Sequence, residues 1–585
     1  MINQELSKIF YEIANFLKTK EIPFKPYAYQ KAALTLKKLR EDVSVIYRKG
    51  GIKALEELPS IGESIAQKIE EYLRTGKIKY YQELKKKMPV KMEELTSVEG
   101  VGPRTVKILY KELKIKNLKD LEKAVKSHKI AGLSGLGEKT EKNILQSISF
   151  LKKSKGRFLL GDVLSKVEKI KKRLKTIKEV EKISEAGSVR RKKETIGDID
   201  FLISIKNSDS IRKKSSDEAK KIMDFFVSMP GVVKTWGKGE TKSSIMTKQG
   251  LEIDLRVVPE KSFGAALQYF TGSKEHNIAT RKIAMSKGLK LNEYGVFRGR
   301  KMIAGKSEKE IYESLGMQWI PPEIREDRGE VRISIEGKLP ELLELKDIKG
   351  DLHSHSSWDG GRDSISEMAK ACINRGYKYL GISDHTKFLR IEHGLDEKEL
   401  LQQRKKIIKI NLQLVTNNSQ FRVLQGAETN VLSDGSLDIK DEVLKKLDYV
   451  IAGVHSSFKM SRERMTKRII KAIKNPYVRI LSHPTGRLLK QRDEYLADWD
   501  KIFKAAKDFG VILEINAHPK RLDLNDRNIR IAKEMGIKMA INSDAHHISQ
   551  FENMKFGVFQ ARRGWAEKND IVNTFPLNKL LNLWK

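Results

Sequence analysis

Five apolar runs of strand length in the C-terminal part of the chain end in a side chain that can ligate a metal, and this regularity constrains the fold more than any other feature. Tyr379-Leu-Gly-Ile-Ser runs into Asp384 and His385, and Phe421-Arg-Val-Leu leads to Glu428. Tyr449-Val-Ile-Ala-Gly-Val leads to His455, Val478-Arg-Ile-Leu-Ser to His483, and Met539-Ala-Ile-Asn-Ser to Asp544 and His546. Helical patterns separate the runs. Strands alternating with helices predict a parallel sheet, and ligands gathered at strand C-termini predict a β/α barrel with its chemistry at that face. Nine of the 11 histidines lie beyond residue 350. A single histidine is most often a hydrogen-bonded structural residue; seven or more candidate ligands, histidines and acids together, at strand ends are not.

A second constellation lies upstream. Gly187-Ser188-Val189-Arg190-Arg191 is followed by Gly197-Asp198-Ile199-Asp200 and later by Leu251-Glu252-Ile253-Asp254. Side chains two apart on a strand share a face, so Asp198 and Asp200 present their carboxylates together and Asp254 can join them from a neighbouring strand. Clustered carboxylates suit a hard divalent cation such as Mg²⁺, and two such ions can clamp the attacking and departing oxygens of an in-line phosphoryl displacement. Gly187 lets the backbone approach a triphosphate, while Ser188 and Arg191 can donate hydrogen bonds to its oxygens. A lone Gly-Asp-x-Asp is more often a turn or a strand end; the third aspartate and the Gly-Ser favour the cation site.

At 585 residues the chain is expected to form three to five packing units. Lys and Arg number 115 against 77 acids, a net charge of +38 that favours a polyanionic partner, nucleic acid first. A lysine-rich surface serving solubility or ion-pair networks would account for the same charge. Cys372 is the sole cysteine, which excludes an intrachain disulfide and points to a reducing compartment. With no apolar leader at MINQELSKIF and no run of membrane-spanning length, a cytoplasmic location and no membrane partner are expected. The first 150 residues read as short amphipathic helices and repeat one phrase. Leu58-Pro-Ser-Ile-Gly62, Val98-Glu-Gly100-Val-Gly102 and Leu133-Ser-Gly135-Leu-Gly137 each precede a helical start. The phrase resembles the helix-hairpin-helix motif, whose glycines expose backbone N–H groups to a DNA phosphate without reading sequence. An ordinary helical hairpin with a glycine turn is the competing reading, and it weakens across three copies.

Taken together, these residues resemble a family X DNA polymerase joined to a C-terminal PHP domain. Tyr269-Phe-Thr-Gly-Ser273 and Asn292-Glu-Tyr294 belong to the same resemblance, which spans almost the whole chain. It implies a multidomain α+β and α/β protein with a helical helix-hairpin-helix N-terminal region, a nucleotidyltransferase palm of the polymerase beta type, and a distorted β/α barrel. Asp198 and Asp200 then hold two metals, Mg²⁺ or Mn²⁺, and Asp254 helps to activate a primer 3′-hydroxyl. Ser188, Arg191 and Gly197 match positions that grip nucleotide phosphates; Tyr269, Phe270, Gly272 and Asn277 match the sugar and base pocket. Lys274 stands where polymerase beta has an acid. Lys68 falls at the Schiff-base lysine of lyase members, with a plain DNA-phosphate contact as the equal alternative. Ser64 and Phe24 replace two other residues of that pattern, whereas Lys25 remains. The helix-hairpin-helix glycines Gly62, Gly100, Gly102, Gly135 and Gly137, with Lys25, are the implied DNA contacts. In the barrel the resemblance implies His353, His355, Asp359, His385, Glu428, His455, His483, Asp544 and His546 as ligands for up to three ions, Mn²⁺ or Zn²⁺. Asp359 lies four residues after His355 where the pattern has five. His393 and His518 fall outside the motif, and His547 is a candidate to support a ligand.

The expected borders are a gap- and 5′-phosphate-binding domain over 1–87, a helix-hairpin-helix subdomain over 88–153, a palm over 154–260, a nucleotide-selection subdomain over 261–322, a linker over 323–345 and the PHP domain over 346–585. The implied function is filling of short gaps in base excision repair, with 3′–5′ exonuclease and abasic-site activities in the PHP half. Gapped or nicked DNA and deoxynucleoside triphosphates are the expected partners of a monomer. Two alternatives stand beside it: a PHP half that hydrolyses small phosphate monoesters, and a gap-recognising scaffold with structural metal sites.

Overall fold

A computed structural model describes the chain except residues 1, 21, 40–41, 99, 154–155, 206–213, 417–419 and 585. The boundary expected at residue 154 falls outside the described residues. The chain divides into two compact units, one of residues 1–155 with 490–493 and one of 156–489 with 494–585.

The first unit is helical. In Ile2–Thr19 the apolar side chains Leu6, Phe10, Ile13 and Leu17 recur at helical spacing and are fully buried, packing with Ala32, Ala33 and Leu36 of Lys25–Lys38. Gly62 and Gly102 cap the helices Glu63–Thr75 and Pro103–Leu113, and neither cap makes a side-chain hydrogen bond. Gly100 turns the chain at φ 91°, a conformation that disfavours side chains other than glycine.

The second unit begins with a five-stranded sheet in the order Val180–Glu185, Asp198–Ile205, Glu252–Val258, Lys242–Thr247, Val232–Lys238. Only Asp198–Ile205 and Glu252–Val258 run parallel; the other pairs are antiparallel. Buried and exposed positions alternate along Glu252–Val258, as period-two patterning requires, and the helices Leu160–Leu174 and Lys214–Val227 cover the apolar face through Val163, Val167, Ile222 and Phe226. A smaller subdomain follows: the helices Phe263–Thr271 and Lys274–Ser286, an antiparallel sheet of Lys290–Asn292, Gly295–Arg298 and Lys301–Ala304, and the helix Glu308–Ser314. The stretch 323–345, expected as a linker, is a packed connector in which Arg325 and Glu330 are fully buried. Arg325 binds Glu308 at 2.6 and 3.1 Å, and the same carboxylate receives both terminal nitrogens of Arg190 at 2.7 Å. One buried acid thus ties the Gly-Ser turn, the small subdomain and the connector together.

The C-terminal part forms parallel strands at Gly350–Asp351, Tyr379–Ile382, Arg422–Gln425, Glu428–Asn430, Val450–Gly453, Val478–Leu481, Ile512–Asn516 and Met539–Asn542. Arg422–Gln425 and Glu428–Asn430 are one strand interrupted at Gly426-Ala427, because both Gly426 and Glu428 still bond the neighbouring strand segment at Ile382 and Ser383. A bridge between Ser354 and Ala545 joins the first strand region to the last. The result is a seven-stranded, distorted β/α barrel. Tyr379, Leu424, Tyr449, Ile451, Ile480 and Ile512 fill one apolar cluster with Phe575, Leu580 and Trp584 from the C-terminal segment. Leu489, Leu522 and Phe556 of the barrel join Leu159, Leu160 and Val163 beside the five-stranded sheet, so barrel and sheet share apolar surface. Among the described residues no helix is long and apolar enough to cross a membrane.

Two candidate metal centres

In the sheet, the parallel register sets Asp200 directly beside Asp254, with Asp198 two residues upstream on the same strand face. Burial, and then the charges of Asp198 and Asp254, push the Asp200 carboxyl up to about 7. Lys242 lies 3.2 Å from Asp254 and sets a positive charge beside the three carboxylates. Gly187 sits at φ 56°, and a Cβ there would run into the Asp200 carboxylate. The backbone N–H of Ala186 donates to the Asp200 carbonyl at 2.9 Å, which pins the turn against the aspartate strand. The Ser188 hydroxyl oxygen is buried with no hydrogen-bond partner. A buried hydroxyl left without a partner beside three carboxylates fits an incoming cation–phosphate group. Arg256, two residues beyond Asp254 on the same face, stacks 4.4 Å over the Phe270 ring and helps to lower Asp200.

The raised Asp200 carboxyl has a direct consequence. Below pH 7 a cation must displace its proton, so Mg²⁺ affinity should rise by up to about tenfold per pH unit between pH 5.5 and 7 and level off by pH 8. Without a cation the sign for stability is opposite, since the folded state holds the proton more tightly than the unfolded chain between pH 4 and 7. Isothermal titration of Mg²⁺ at several pH values, with Asp200→Asn as the comparison, measures the effect; a pH-independent affinity contradicts it.

In the barrel, Glu428 is the hub. Its carboxylate oxygens lie 2.9 Å from His385 Nδ1, 2.9 Å from His483 Nε2, 3.3 Å from His353 Nε2 and 3.3 Å from His455 Nε2. Asp544 lies 3.4 Å from His355 Nε2 and 3.7 Å from His546 Nδ1. His353 Nε2, His355 Nε2, His385 Nδ1 and His455 Nε2 are buried and make no hydrogen bond, so they face carboxylates without hydrogen-bond geometry. Imidazole nitrogens directed at shared carboxylates in this way fit metal ions between them. Groups whose ligand atoms all lie within 4.8 Å of one another are His355–His385–His546, His353–His355–Asp544, His385–Glu428–His455 and His355–Asp359–Asp384. The aspartates of the sheet are not among these tight groups.

Burial would lower His353 and His355, but the surrounding carboxylates prevail: Glu428 and Glu514 hold His353 well above its usual range, and Asp359 takes His355 up to about 10. Glu428 and Asp544 are buried, yet the imidazoles hold both well below the carboxylate range. Burial brings His455 down to about 4 and His546 to about 3. Two further acids complete the site. Glu514 accepts from His353 Nδ1 at 2.7 Å and from the His483 backbone at 2.7 Å, directing the other His353 nitrogen to Glu428. Asp384 accepts from Ser356 Oγ and Gln403 Nε2, each at 2.6 Å. Glu514 lies inside an apolar run, Ile512-Leu-Glu-Ile-Asn516, and that interruption was its only sequence signal. Asp359 contacts His355 through Nδ1 at 2.8 Å and also accepts from the His385 backbone at 2.8 Å.

Family models described as helix-hairpin-helix domain, SAM-like helix-hairpin-helix tandem, DNA polymerase beta palm, DNA polymerase beta thumb and PHP domain match residues 1–78, 92–149, 162–237, 266–326 and 351–518. A DNA polymerase/3′-5′ exonuclease PolX of Bacillus subtilis (strain 168) is 36% identical over 582 residues, covering 99% of this chain and 98% of its own. The chain belongs to the PolX family. Its PHP half is also similar to smaller proteins. A probable phosphatase of Thermoanaerobacter sp. (strain X514) is 35% identical over 208 residues, 34% of this chain and 78% of its own, and one of Acetivibrio thermocellus is 27% identical over 205 residues, 34% and 78%. Asp254, Asp544 and His546 lie beyond the matched palm and PHP segments, and the tertiary structure brings each to its cluster.

Around the PolX palm, Tyr269 and Phe270 close the helix Phe263–Thr271 and meet edge to face at 5.1 Å. Gly272 follows at φ 68°, and a Cβ there would press on Arg191 Nη1 at 3.1 Å. Arg191 donates through Nη1 to the Thr271 carbonyl and through Nε to Glu326 at 3.2 Å. Asn277 accepts from Gln268 at 2.9 Å and donates to the Tyr269 carbonyl at 2.7 Å. A Cβ on Gly197 would meet Arg157 Nη1 at 3.2 Å. In the N-terminal unit, Lys68 donates to the Ser64 carbonyl and hydroxyl at 2.8 and 3.0 Å; burial, and then Lys25, lower its pKa. Cβ atoms built on Gly62, Gly102, Gly135 and Gly137 would meet nothing within 4 Å.

Proposed function

We propose that this protein is a monomeric, cytoplasmic repair polymerase that fills short gaps in DNA from deoxynucleoside triphosphates and trims 3′ ends with its PHP barrel. The observation that carries the reading is the coexistence of two built centres: the carboxylates of Asp198, Asp200 and Asp254 beside the unpartnered Ser188 hydroxyl, and the imidazole cluster around Glu428. Divalent cations, Mg²⁺ or Mn²⁺ in the palm and Mn²⁺ or Zn²⁺ in the barrel, would supply Lewis acidity to phosphate oxygens. Asp198 and Asp200 hold the palm cations, and Asp254 orients the primer 3′-hydroxyl for attack on the α-phosphate. Ser188 and Arg191 donate to the leaving phosphates, with Gly197 at their edge, while Tyr269, Phe270, Gly272 and Asn277 shape the sugar and base pocket.

In the barrel, Glu514 keeps the Nδ1 proton of His353 in place and so presents Nε2 inward; Asp359 does the same for His355. Together with His385, Glu428, His455, His483, Asp544 and His546 they form the ligand set. The helix-hairpin-helix glycines and Lys25 bind the gap ends. Lys68, its amine shifted toward the neutral form, is the candidate lyase nucleophile. The domain limits follow the sequence borders, with 323–345 as the packed connector.

A labelled one-nucleotide-gapped duplex tests this with Mg²⁺ and Mn²⁺. Asp198→Ala/Asp200→Ala should lose extension by on the order of a thousandfold and keep degradation, and His353→Ala/His355→Ala should do the reverse. Loss of both activities in either variant contradicts two independent centres. The similarity to probable phosphatases favours a second reading of the barrel, hydrolysis of small phosphate monoesters. A wild-type enzyme that extends DNA, leaves 3′ ends intact and hydrolyses a small monoester would establish it.

A further inference from the structure

Arg563, the last residue of the barrel helix Met554–Arg563, lies 372 positions from Arg191 and holds it from two sides. Its Nη1 donates to the Arg191 main-chain carbonyl at 2.8 Å, to the Glu323 carbonyl at 3.3 Å and to Glu326 Oε1 at 3.0 Å; Nη2 donates to Asp526 at 2.5 Å. Glu326 Oε1 also receives Arg191 Nε at 3.2 Å and lies 3.7 Å from Lys193. The Arg563 side chain is 2% exposed and Glu326 12%. We infer that Arg563 is a positioning residue for nucleotide binding in the palm, acting through Glu326 and the Arg191 backbone. The inference rests on the reading of Arg191 as a triphosphate contact.

The physical argument concerns how one carboxylate charge is divided. Glu326 faces three cations in a largely buried setting, so it fixes the Arg191 guanidinium plane without cancelling its charge. Take Arg563 away, and Glu326 is left to Arg191 and Lys193. Arg191 then becomes a closed ion pair and meets a triphosphate with less net charge, while its main-chain carbonyl loses a donor. Both effects weaken nucleotide binding in the ground state and the transition state alike, which raises KM and spares kcat. Asp526 anchors the other arm of Arg563 and also pairs with Arg328 at 3.3 Å, so the barrel fixes the direction of the contact.

The test uses the full-length enzyme and steady-state gap filling over a range of nucleotide concentrations, with 3′–5′ degradation by the same preparation as the readout of an intact barrel. Arg563→Gln should raise KM for the nucleotide about tenfold and change kcat by less than about twofold, a loss typical of one charge-assisted bond. Degradation should stay at the wild-type rate. In an Arg191→Ala background Arg563→Gln should raise KM by clearly less than it does in the wild type, because the part that acts through the Arg191 guanidinium is already gone and only the main-chain contact remains. Asp526→Asn, which loosens the same guanidinium without removing it, should raise KM about threefold and serves if Arg563→Gln loses both activities. An unchanged KM in a variant that still degrades DNA overturns the inference, as do effects that multiply with Arg191→Ala. If Arg191→Ala itself leaves KM unchanged, the phosphate reading of Arg191 falls and the inference falls with it.

Discussion

Glu428→Gln should lower 3′–5′ exonuclease activity by on the order of a thousandfold and leave gap filling within about twofold of wild type. The change is nearly isosteric, so the barrel keeps its shape; what disappears is the negative charge shared by four imidazoles. His353, His385, His455 and His483 converge on the two oxygens of Glu428 at 2.9–3.3 Å, and no other acid in the site serves as many of them. An amide offers one weaker acceptor oxygen and a donor that faces the imidazoles. Bound metal should therefore fall together with activity, measured by elemental analysis of the purified variant beside wild type. Retention of both would show that the cluster around Glu428 does not hold the catalytic ions.

The second large effect is expected at a residue without a side chain. Gly187→Ala should reduce the rate of single-turnover gap filling at saturating nucleotide by about a hundredfold and leave exonuclease activity unchanged. Two costs combine there. The backbone at φ 56° disfavours an L side chain by about 1–2 kcal/mol, and the added methyl runs into the Asp200 carboxylate. Relief requires Asp200 or the turn to move, and either motion breaks the alignment of the carboxylates with Ser188. Because the turn is also held by the Ala186 bond to the Asp200 carbonyl, it has little freedom to yield. A variant with wild-type extension would mean that the turn relaxes at no cost to the site, and would remove the argument for close packing.

Both centres were partly legible from local pattern. Period-two alternation placed Asp198 and Asp200 on one face, and runs of β-branched and apolar residues ending in His, Asp or Glu marked the barrel strands and their reactive ends. The helix-hairpin-helix turns were visible as one repeated glycine phrase; Gly100 and Gly135 take a positive φ, whereas Gly62 and Gly102 sit in extended backbone at the helix starts. What escaped the sequence were groups whose role depends on a distant partner. Glu514 reads as a break in an apolar strand until His353 is seen 161 residues upstream in chain order and 2.7 Å away in space. Asp384 stood beside an expected ligand, and only the buried contacts of Ser356 and Gln403 reveal its setting. The charged stretch 323–345 looked like solvated linker by composition, yet Arg325 and Glu330 are buried, because each finds an oppositely charged or hydrogen-bonding partner from another element.

The sequence by itself determined the element types, the family and most of the candidate side chains of the two centres, since periodicity, glycine turns and ligand chemistry are properties of a few neighbouring residues. Only the tertiary structure decided the register that sets Asp200 beside Asp254, the convergence of four imidazoles on Glu428, and the path from Arg191 through Glu326 to Arg563. The physical reason is that a buried charge is tolerated only where a partner is delivered to it, and the partner's position is set by the packing of whole elements rather than by the residues alongside.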